Sequence, residues 1–312
     1  ASDDDLMGMR AFDLGLAGYV LNSSVSEYSF DALLDAYCGG VLPEAKDEAG
    51  SAAAQAAAAR MLVKPLTDAL GRDESKRAYF DIDLPLVAVL SIMERTGTAL
   101  DCDRLAELGA STEDELAGLR ERIFDMAGET FNLDSPKQLG HILFEVLGLR
   151  TLKKNQRGYS TDAAVLKELS NDHEMPALVL RYRELAKIKS TYIDALPRMR
   201  ADDGRVHTCF NETVTTTGRL SSSEPNLQNI PVRTEFGRQI RECFVPLEKG
   251  HKFLSADYSQ IELRLLAHLS NDEHLVAAFC SGADFHAATA SRVFGLPVED
   301  VSPELRSRAK AV

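Results

Sequence analysis

The chain lacks the patterns on which several classes of protein depend. Its five cysteines (Cys38, Cys102, Cys209, Cys243 and Cys280) lie far apart and form no Cys-x-x-Cys pair. Such an odd, scattered set indicates neither a disulfide framework nor a zinc site, and it fits a reducing cytoplasm. No apolar run approaches the roughly 20 residues of a membrane-spanning helix, and no basic, apolar, small-residue leader opens the chain. A soluble, cytoplasmic protein without a membrane partner is expected. Internal repeats and long low-complexity tracts are also missing, which sets repeat architectures aside.

Basic residues are in deficit as well. The formal net charge is −13, which at first argues against a nucleic-acid partner. Distribution matters more than the sum, because screening limits exposed charges to a reach of ~8–10 Å. Residues 1–50 carry two basic against ten acidic residues, a local net of −8. Residues 181–245 carry eleven basic against eight acidic, a local net of +3. The middle of the chain therefore holds the local positive excess from which phosphate-binding surfaces are read.

A length of 312 residues is long for one hydrophobic core and suggests two or three folding units. The first reads as helical over residues 12–21, 30–37 and the alanine-rich stretch 51–70. Alanine favours helix but buries little, so this last helix should pack closely against a neighbour. Asp83-Leu-Pro85 opens a further helix with proline in its first turn. Residues 101–127 are long and amphipathic, and Ser135-Pro-Lys-Gln138 has the form of a capping box. Residues 178–196 form another helix, with Arg181, Arg183, Lys187 and Lys189 along it. Between helices lies the basic tip Leu152-Lys-Lys-Asn-Gln-Arg157-Gly-Tyr-Ser-Thr161, which by itself can equally be a solvated loop. Strand-like runs occur at 205–210, 241–246 and 253–256, and the chain after Asp272 returns to helix.

The run Phe253-Leu-Ser-Ala-Asp257-Tyr-Ser-Gln-Ile-Glu262-Leu-Arg264 carries the most chemistry. Its apolar first half reads as a short buried strand, and Ile261, Leu265 and Leu266 recur at helical spacing. Asp257 is expected at the strand end where the chain turns into a helix, with Glu262 about one and a half turns further on. On spacing alone a plain helix N-cap stays open for Asp257.

Three stretches, taken in order, resemble the family A DNA polymerases of bacteria. Asp257-Tyr-Ser-Gln-Ile-Glu-Leu-Arg264 is similar to that family's first metal-binding motif. Upstream, Thr215-Thr-Thr-Gly-Arg219-Leu-Ser-Ser-Ser-Glu-Pro-Asn226-Leu-Gln228-Asn229-Ile-Pro-Val-Arg233 is similar to the segment that touches the primer-template. Downstream, Asp284-Phe-His286-Ala-Ala-Thr-Ala and Arg306-Ser-Arg-Ala-Lys310 match the beginning of the fingers. The resemblance implies a helix-rich α+β fold in four parts. Residues 1–75 would be the tail of a ribonuclease-H-like 3′-to-5′ exonuclease domain, 76–203 a helical thumb, 204–270 part of a palm sheet and 271–312 the start of the fingers of a right-hand polymerase. It also implies template-directed DNA synthesis in replication and repair, by two-metal phosphoryl transfer with Mg²⁺. The partners would be primer-template DNA and deoxynucleoside triphosphates, the setting the bacterial nucleoid, and the protein a monomer.

Under this resemblance Asp257 is the catalytic carboxylate and, with the Tyr258 backbone carbonyl, a metal ligand, since hard cations take oxygen donors. Gln260, Glu262, His286, Arg306 and Lys310 lie at the incoming nucleotide. Glu262 sits under its sugar and leaves no room for a 2′-hydroxyl. Arg306 and Lys310 share one helical face, in a helix that Ser302-Pro303-Glu304 starts with a cap, an N1 proline and an acidic first turn. Lys153, Lys154 and Arg157 at the thumb tip, with Lys187 and Lys189, grip the duplex backbone. Thr217, Arg219, Asn226, Gln228, Asn229 and Arg233 face the primer-template, where minor-groove acceptors common to every base pair allow geometry to be checked without reading sequence.

Two departures qualify what is implied. No His-Asp-Glu motif, the family's source of a second essential carboxylate, occurs in these residues, and the chain stops at Val312 where Asn-Phe-Gly is expected next. The expectation is a fragment that does not polymerise alone. Asp13 matches one exonuclease carboxylate, but residues 51–62 hold no carboxylate and no tyrosine, so proofreading is expected to be lost. The competing reading is a non-catalytic module that only holds duplex DNA.

Overall fold

The computed structural model describes residues 11–155, 158–232, 234–246, 248, 250–280 and 285–309. They fall into two compact units, Ala1–Lys252 and Phe253–Val312, so the division cuts through the segment that the sequence reads as palm. No helix among the described residues is long and apolar enough to cross a membrane.

The first unit holds two hydrophobic clusters. The N-terminal one is built from α1 (Leu14–Leu21), α2 (Phe30–Cys38) and α3 (Glu48–Arg72), capped in turn by Asp13, Ser29 and Asp47. The close packing expected of the alanine-rich helix is found. α3 buries Ala58, Leu62, Leu66, Ala69 and Leu70 at helical spacing, against α1 and α2. Each of its fully buried leucines contributes about 1.5–3 kcal/mol. α4 (Leu84–Thr96) carries Pro85 in its first turn, as the sequence suggests, but Asp83 does not open it. A wider π-type turn, Ala78–Asp83, leads straight into the helix, so no backbone break calls for a cap. Tyr79 within that turn is fully buried and closes the cluster. Its hydroxyl accepts from the Asp13 N–H at 2.8 Å and donates to the Asp13 carbonyl at 3.0 Å. Burial pushes its phenol up to about 12.

The second cluster runs through β1 (Thr98–Leu100), α5 (Cys102–Ala127), α6 (Pro136–His141), β2 (Lys154–Asn155), β3 (Gly158–Tyr159), α7 (Ala163–Leu169), α8 (Glu174–Ile188) and α9 (Leu196–Met199). α5 and α8 are its long axis. Leu116, Leu119 and Ile123 on one helix meet a core to which Met175, Val179, Tyr182 and Leu185 on the other also belong. The helix expected over 178–196 is not continuous: α8 gives way to a π-type turn, Lys189–Ile193, before α9. The capping box at Ser135 is half made. Ser135 accepts from the Gln138 N–H at 3.4 Å, but the Gln138 side chain accepts from Asn132, not from the cap residue.

Beyond α9 come β4 (Arg205–Val206), β5 (Cys209–Asn211), β6 (Ser221–Ser223), α10 (Glu235–Arg241) and β7 (Phe244–Val245). β1 is the middle strand of a small antiparallel sheet, with Thr98 opposite Val206 of β4 and Leu100 opposite Phe244 of β7. The strand expected over 205–210 is therefore divided: β4 joins this sheet, while β5 pairs with β6. The break has a cause in α4. A His207 ring nitrogen bonds the Glu94 carbonyl at 2.6 Å, and the Glu94 carboxylate accepts from the Phe210 N–H at 2.6 Å, so the chain is pulled out of one ladder and into another. Gly97 makes room for this, since a Cβ there would lie 2.7 Å from the His207 ring.

The second unit contains α11 (Ile261–Ser270), α12 (Glu273–Cys280), α13 (Phe285–Phe294), a 3-10 turn at Val298–Asp300 and α14 (Pro303–Arg308). The strand expected over 253–256 is absent. These residues are exposed and unpaired by any described strand, with Phe253 at 60% and Leu254 at 93% of full exposure. An apolar run encodes burial, but a strand exists only where a neighbour completes its ladder.

Gly237 in α10 gives a test of this packing. A Cβ there would lie 2.1 Å from the Pro231 carbonyl oxygen, a backbone atom that cannot swing away. Gly237→Ala is expected to destabilise the chain by ~1–3 kcal/mol through overpacking. Gly118→Ala, on an exposed face of α5 with open space around it, is expected to stabilise by ~0.5–1 kcal/mol. Urea unfolding of the two variants should give opposite signs, and equal signs would contradict the packing described.

Candidate nucleic-acid interface and metal site

The segment rich in hydrogen-bond donors is the loop between β5 and β6. Cys209 pairs with Ser223 and Asn211 with Ser221, so residues 212–220 project from the end of a two-stranded ribbon. Thr217 and Arg219 are exposed on it. Its carbonyls are held by side chains. Thr215 Oγ1 donates to the Arg219 carbonyl at 2.6 Å, and Gln228 Nε2 to the Leu220 carbonyl at 3.1 Å. From the N-terminal cluster, Tyr19 Oη donates to the Thr215 carbonyl at 2.7 Å and Ser23 Oγ to the Thr216 carbonyl at 2.9 Å. Neither Tyr19 nor Ser23 stands out in the sequence, since each lies nearly 200 positions from its partner with no motif around it.

Asn226 and Gln228 turn out to be builders of the loop that follows. The Asn226 side-chain oxygen accepts from the Gln228 and Asn229 N–H groups at 3.1 and 3.2 Å, an Asx-type turn. Ser222, buried beside them, accepts from the Leu227 N–H at 3.1 Å. Asn229 remains exposed. Arg233 lies outside the described residues.

Charge at the root of the loop is negative. Glu212 is half-buried, and burial, with Asp83 and Asp13 adding repulsion, pushes its carboxyl from 4.5 up to about 7. Burial also raises Asp83. Asp13, the match to an exonuclease carboxylate, is used as the cap of α1, where it accepts from the Leu16 N–H at 2.8 Å.

The basic tip of the helical region is a miniature hairpin, with Lys154 opposite Tyr159. Lys153 and Lys154 are exposed; Lys153 stands 3.5 Å from Asp162, and the Lys154 ammonium lies 4.8 Å from the centre of the Tyr159 ring. Arg157 lies outside the described residues. A groove of about 660 Å³ runs beside the tip, bounded by Lys137, His141, Glu145 and Tyr159. Lys187 is exposed on α8. Lys189 is committed within the molecule, to Asp194 at 3.1 Å and Glu113 at 3.5 Å, and its hydrogen bond to Asp194 raises its affinity for the proton.

In the second unit Asp257 and Tyr258 are exposed on the irregular segment before α11, three and two residues ahead of Gln260. Gln260 adopts the left-handed region (φ 53°, ψ 37°) and makes no side-chain cap, a conformation that costs an L-residue roughly 1–2 kcal/mol. Two bonds within the motif hold it. The Gln260 carbonyl accepts from the Arg264 N–H at 3.0 Å, and Arg264 Nε donates to the Ser259 carbonyl at 2.9 Å. The Arg264 guanidinium also lies 4.9 Å from the centre of the Phe279 ring, which fixes it against α12. Glu262 is exposed in the first turn of α11. Ser302 caps α14 as expected, accepting from the Leu305 N–H at 3.3 Å, and Arg306 is half-buried on that helix. Lys310, Asp284 and the His286 side chain lie outside the described residues. Among the described residues no group of three or more His, Cys, Asp or Glu side chains is placed to hold a metal ion. The exposed Asp257 carboxylate and the adjacent Tyr258 carbonyl are hard oxygen donors of the kind Mg²⁺ accepts.

Comparison with known proteins places this arrangement. The sequence profile of DNA polymerase family A matches residues 102–312. The DNA polymerase I of Caldicellulosiruptor bescii is 45% identical over 96% of this chain, and that of Geobacillus stearothermophilus 43% identical over 96%. The Pseudomonas aeruginosa DNA polymerase I is 41% identical over 97%. The chain spans 35–36% of the length of these relatives. Among solved structures, the POL domain of Pol1 from M. smegmatis, in complex with DNA primer-template and dNTP, superposes with a TM-score of 0.86 at 39% identity. That likeness covers 96% of this chain and 52% of the other. On these grounds the helix-rich α+β chain described here belongs to DNA polymerase family A.

Proposed function

We propose that the chain takes part in template-directed DNA synthesis, the addition of deoxynucleotides to a primer 3′ end in replication and repair. The observation that carries this reading is the state of Asp257, an exposed carboxylate two residues ahead of a turn that its own motif holds. It occurs in a chain whose solved likeness is described with DNA primer-template and dNTP. In this reading residues 1–75 are the tail of a ribonuclease-H-like exonuclease domain that no longer proofreads. Residues 76–203 are the thumb, 204–270 part of the palm and 271–312 the start of the fingers. A separate N-terminal hydrophobic cluster supports a distinct first part, and its packing runs on through Tyr79, Phe80 and Leu84. The setting is a bacterial cytoplasm, and the protein acts as a monomer on the nucleoid.

The reaction joins the primer 3′-oxygen to the α-phosphorus of the nucleotide and releases pyrophosphate. Mg²⁺ held by the Asp257 carboxylate and the Tyr258 carbonyl, one of two ions in a complete site, supplies charge neutralisation and a more acidic 3′-hydroxyl when bound. Glu262 occupies the space beneath the sugar and excludes a 2′-hydroxyl. Gln260, His286, Arg306 and Lys310 meet the nucleotide. Lys153, Lys154, Arg157 and Lys187 neutralise duplex phosphates, and Thr217, Arg219, Asn229 and Arg233 face the minor groove, with Asn226 and Gln228 shaping that surface. The second carboxylate of the reaction belongs to a His-Asp-Glu motif that these 312 residues do not contain.

Asp257→Asn, placed in a polymerase that joins these residues to a His-Asp-Glu motif, should lower incorporation by ~10²–10³-fold or more while leaving DNA affinity nearly intact. Wild-type-like incorporation would sink the assignment. In the same protein Glu262→Ala should raise ribonucleotide relative to deoxyribonucleotide incorporation in single-turnover experiments, and an unchanged ratio removes that role from Glu262. For the 312-residue chain itself, affinity for primer-template should fall with salt. The double change Lys153→Ala and Lys154→Ala should flatten log K against log[salt] by roughly 2, about 0.9 per phosphate contact, without altering sequence preference. An unaltered slope would make the tip a solvated loop. If DNA affinity responds to neither nucleotide nor Mg²⁺, the reading as a module that only holds duplex gains ground.

A further inference from the structure

We infer that Tyr19 and Ser23, at the end of α1 and just beyond it, are positioning residues for the loop 215–219, so that the N-terminal cluster sets the geometry with which Arg219 meets DNA. The inference rests on the reading of that loop as a primer-template contact. Its structural basis is independent of that reading.

The loop leaves the β5–β6 ribbon and has no ladder of its own. Its Thr215 and Thr216 carbonyls are instead taken by two hydroxyls from a distant part of the chain, at 2.7 and 2.9 Å. Tyr19 is 7% exposed and stands edge-on to Tyr28, with ring centres 6.0 Å apart, so its hydroxyl has one direction in which to point. Tyr28 is itself fixed by donating to the Asn22 carbonyl at 2.7 Å. Gly18 keeps the helix close to this pair, since a Cβ there would lie 2.7 Å from Leu33 and 3.0 Å from the Tyr28 ring. A packed aromatic pair thus presents a hydroxyl at a defined place. From there the restraint passes through one residue: the Thr215 hydroxyl donates to the Arg219 carbonyl at 2.6 Å. Moving Thr215 therefore moves the backbone that carries the Arg219 side chain. In this inference the N-terminal cluster has a mechanical task, as a fixed wall against which a DNA-facing loop is drawn.

The test uses the 312-residue chain, a fluorescein-labelled primer-template duplex and amide hydrogen exchange without DNA. Tyr19→Phe with Ser23→Ala removes both hydroxyls and keeps the packing; Thr67→Ala is the control, removing a hydroxyl bond to the Val63 carbonyl (2.7 Å) that does not reach the loop. The double change should speed exchange at the amides of residues 216–220 and weaken duplex binding by about 2- to 10-fold, the range given by losing one or two hydrogen bonds. Thr67→Ala should do neither, whatever it does to Tm. In an Arg219→Ala background the double change should cost little further affinity, because the group it positions is gone. Unchanged exchange would overturn the brace, and affinity losses that simply add would overturn its action through Arg219. Arg219→Ala alone leaving affinity intact while the double change still speeds exchange is a different failure: that of the DNA reading, with the brace standing.

Discussion

The loop between β5 and β6 depends on a constraint that any irregular segment faces: backbone carbonyls need donors, and a segment outside a ladder must find them elsewhere. In residues 212–220 the donors are side chains. Tyr19, Ser23, Thr215 and Gln228 each serve one carbonyl, and between them they pin the loop at its centre and at its C-terminal end. Hydroxyl and amide donors suit this task because they carry no net charge into a region already occupied by Glu212, Asp13 and Asp83. The loop can then present Arg219 as its positive group without a competing cation in its scaffold.

What stands behind the loop is equally specific. β1 is three residues long and pairs on both sides, so one short strand sets the positions of β4 and β7. The C-terminal turn of α4, immediately before it, contributes the Glu94 carbonyl and carboxylate and the close approach at Gly97. These contacts decide where the chain leaves the central sheet and starts the ribbon. A strand read from its alternating residues is a property of one segment, whereas this division is a property of two segments about 110 positions apart.

That contrast explains how much could be read in advance. Helices were legible where the signal is local. The close packing of α3, the long amphipathic α5 and the Ser-Pro-Glu start of α14 all follow from residues within a few turns of one another. The family and its motif positions were legible because long strings of residues match. What could not be read was non-local. The split strand at 205–210, the missing strand at 253–256 and the hydroxyls of Tyr19 and Ser23 each depend on a partner far along the chain. The roles of Asn226 and Lys189 belong here too. Both are polar residues in promising positions, and only the fold reveals that one builds an Asx turn and the other is held by two carboxylates.

The carboxylate motif shows the same division at closer range. α11 has an apolar side in Ile261, Leu265 and Leu269, all exposed, Leu269 at 80%. An amphipathic stripe states where a helix is to be covered, and covering it requires other elements. The hydrogen bonds of the turn ahead of the helix come from within the motif, with Phe279 of α12 backing the Arg264 guanidinium. Arg264 reaches back to Ser259, its N–H closes on Gln260, and the left-handed backbone of Gln260 re-aims the chain between Tyr258 and Ile261. The energy stored at Gln260 is thus offset by bonds four and five residues away. Functional groups held to within about 0.5 Å need support of this kind, and here it is written into residues 259–264 of the sequence itself. Local hydrogen bonding therefore shapes the chain just after Asp257, whereas burial of the apolar side of α11 is a non-local matter that the motif does not decide.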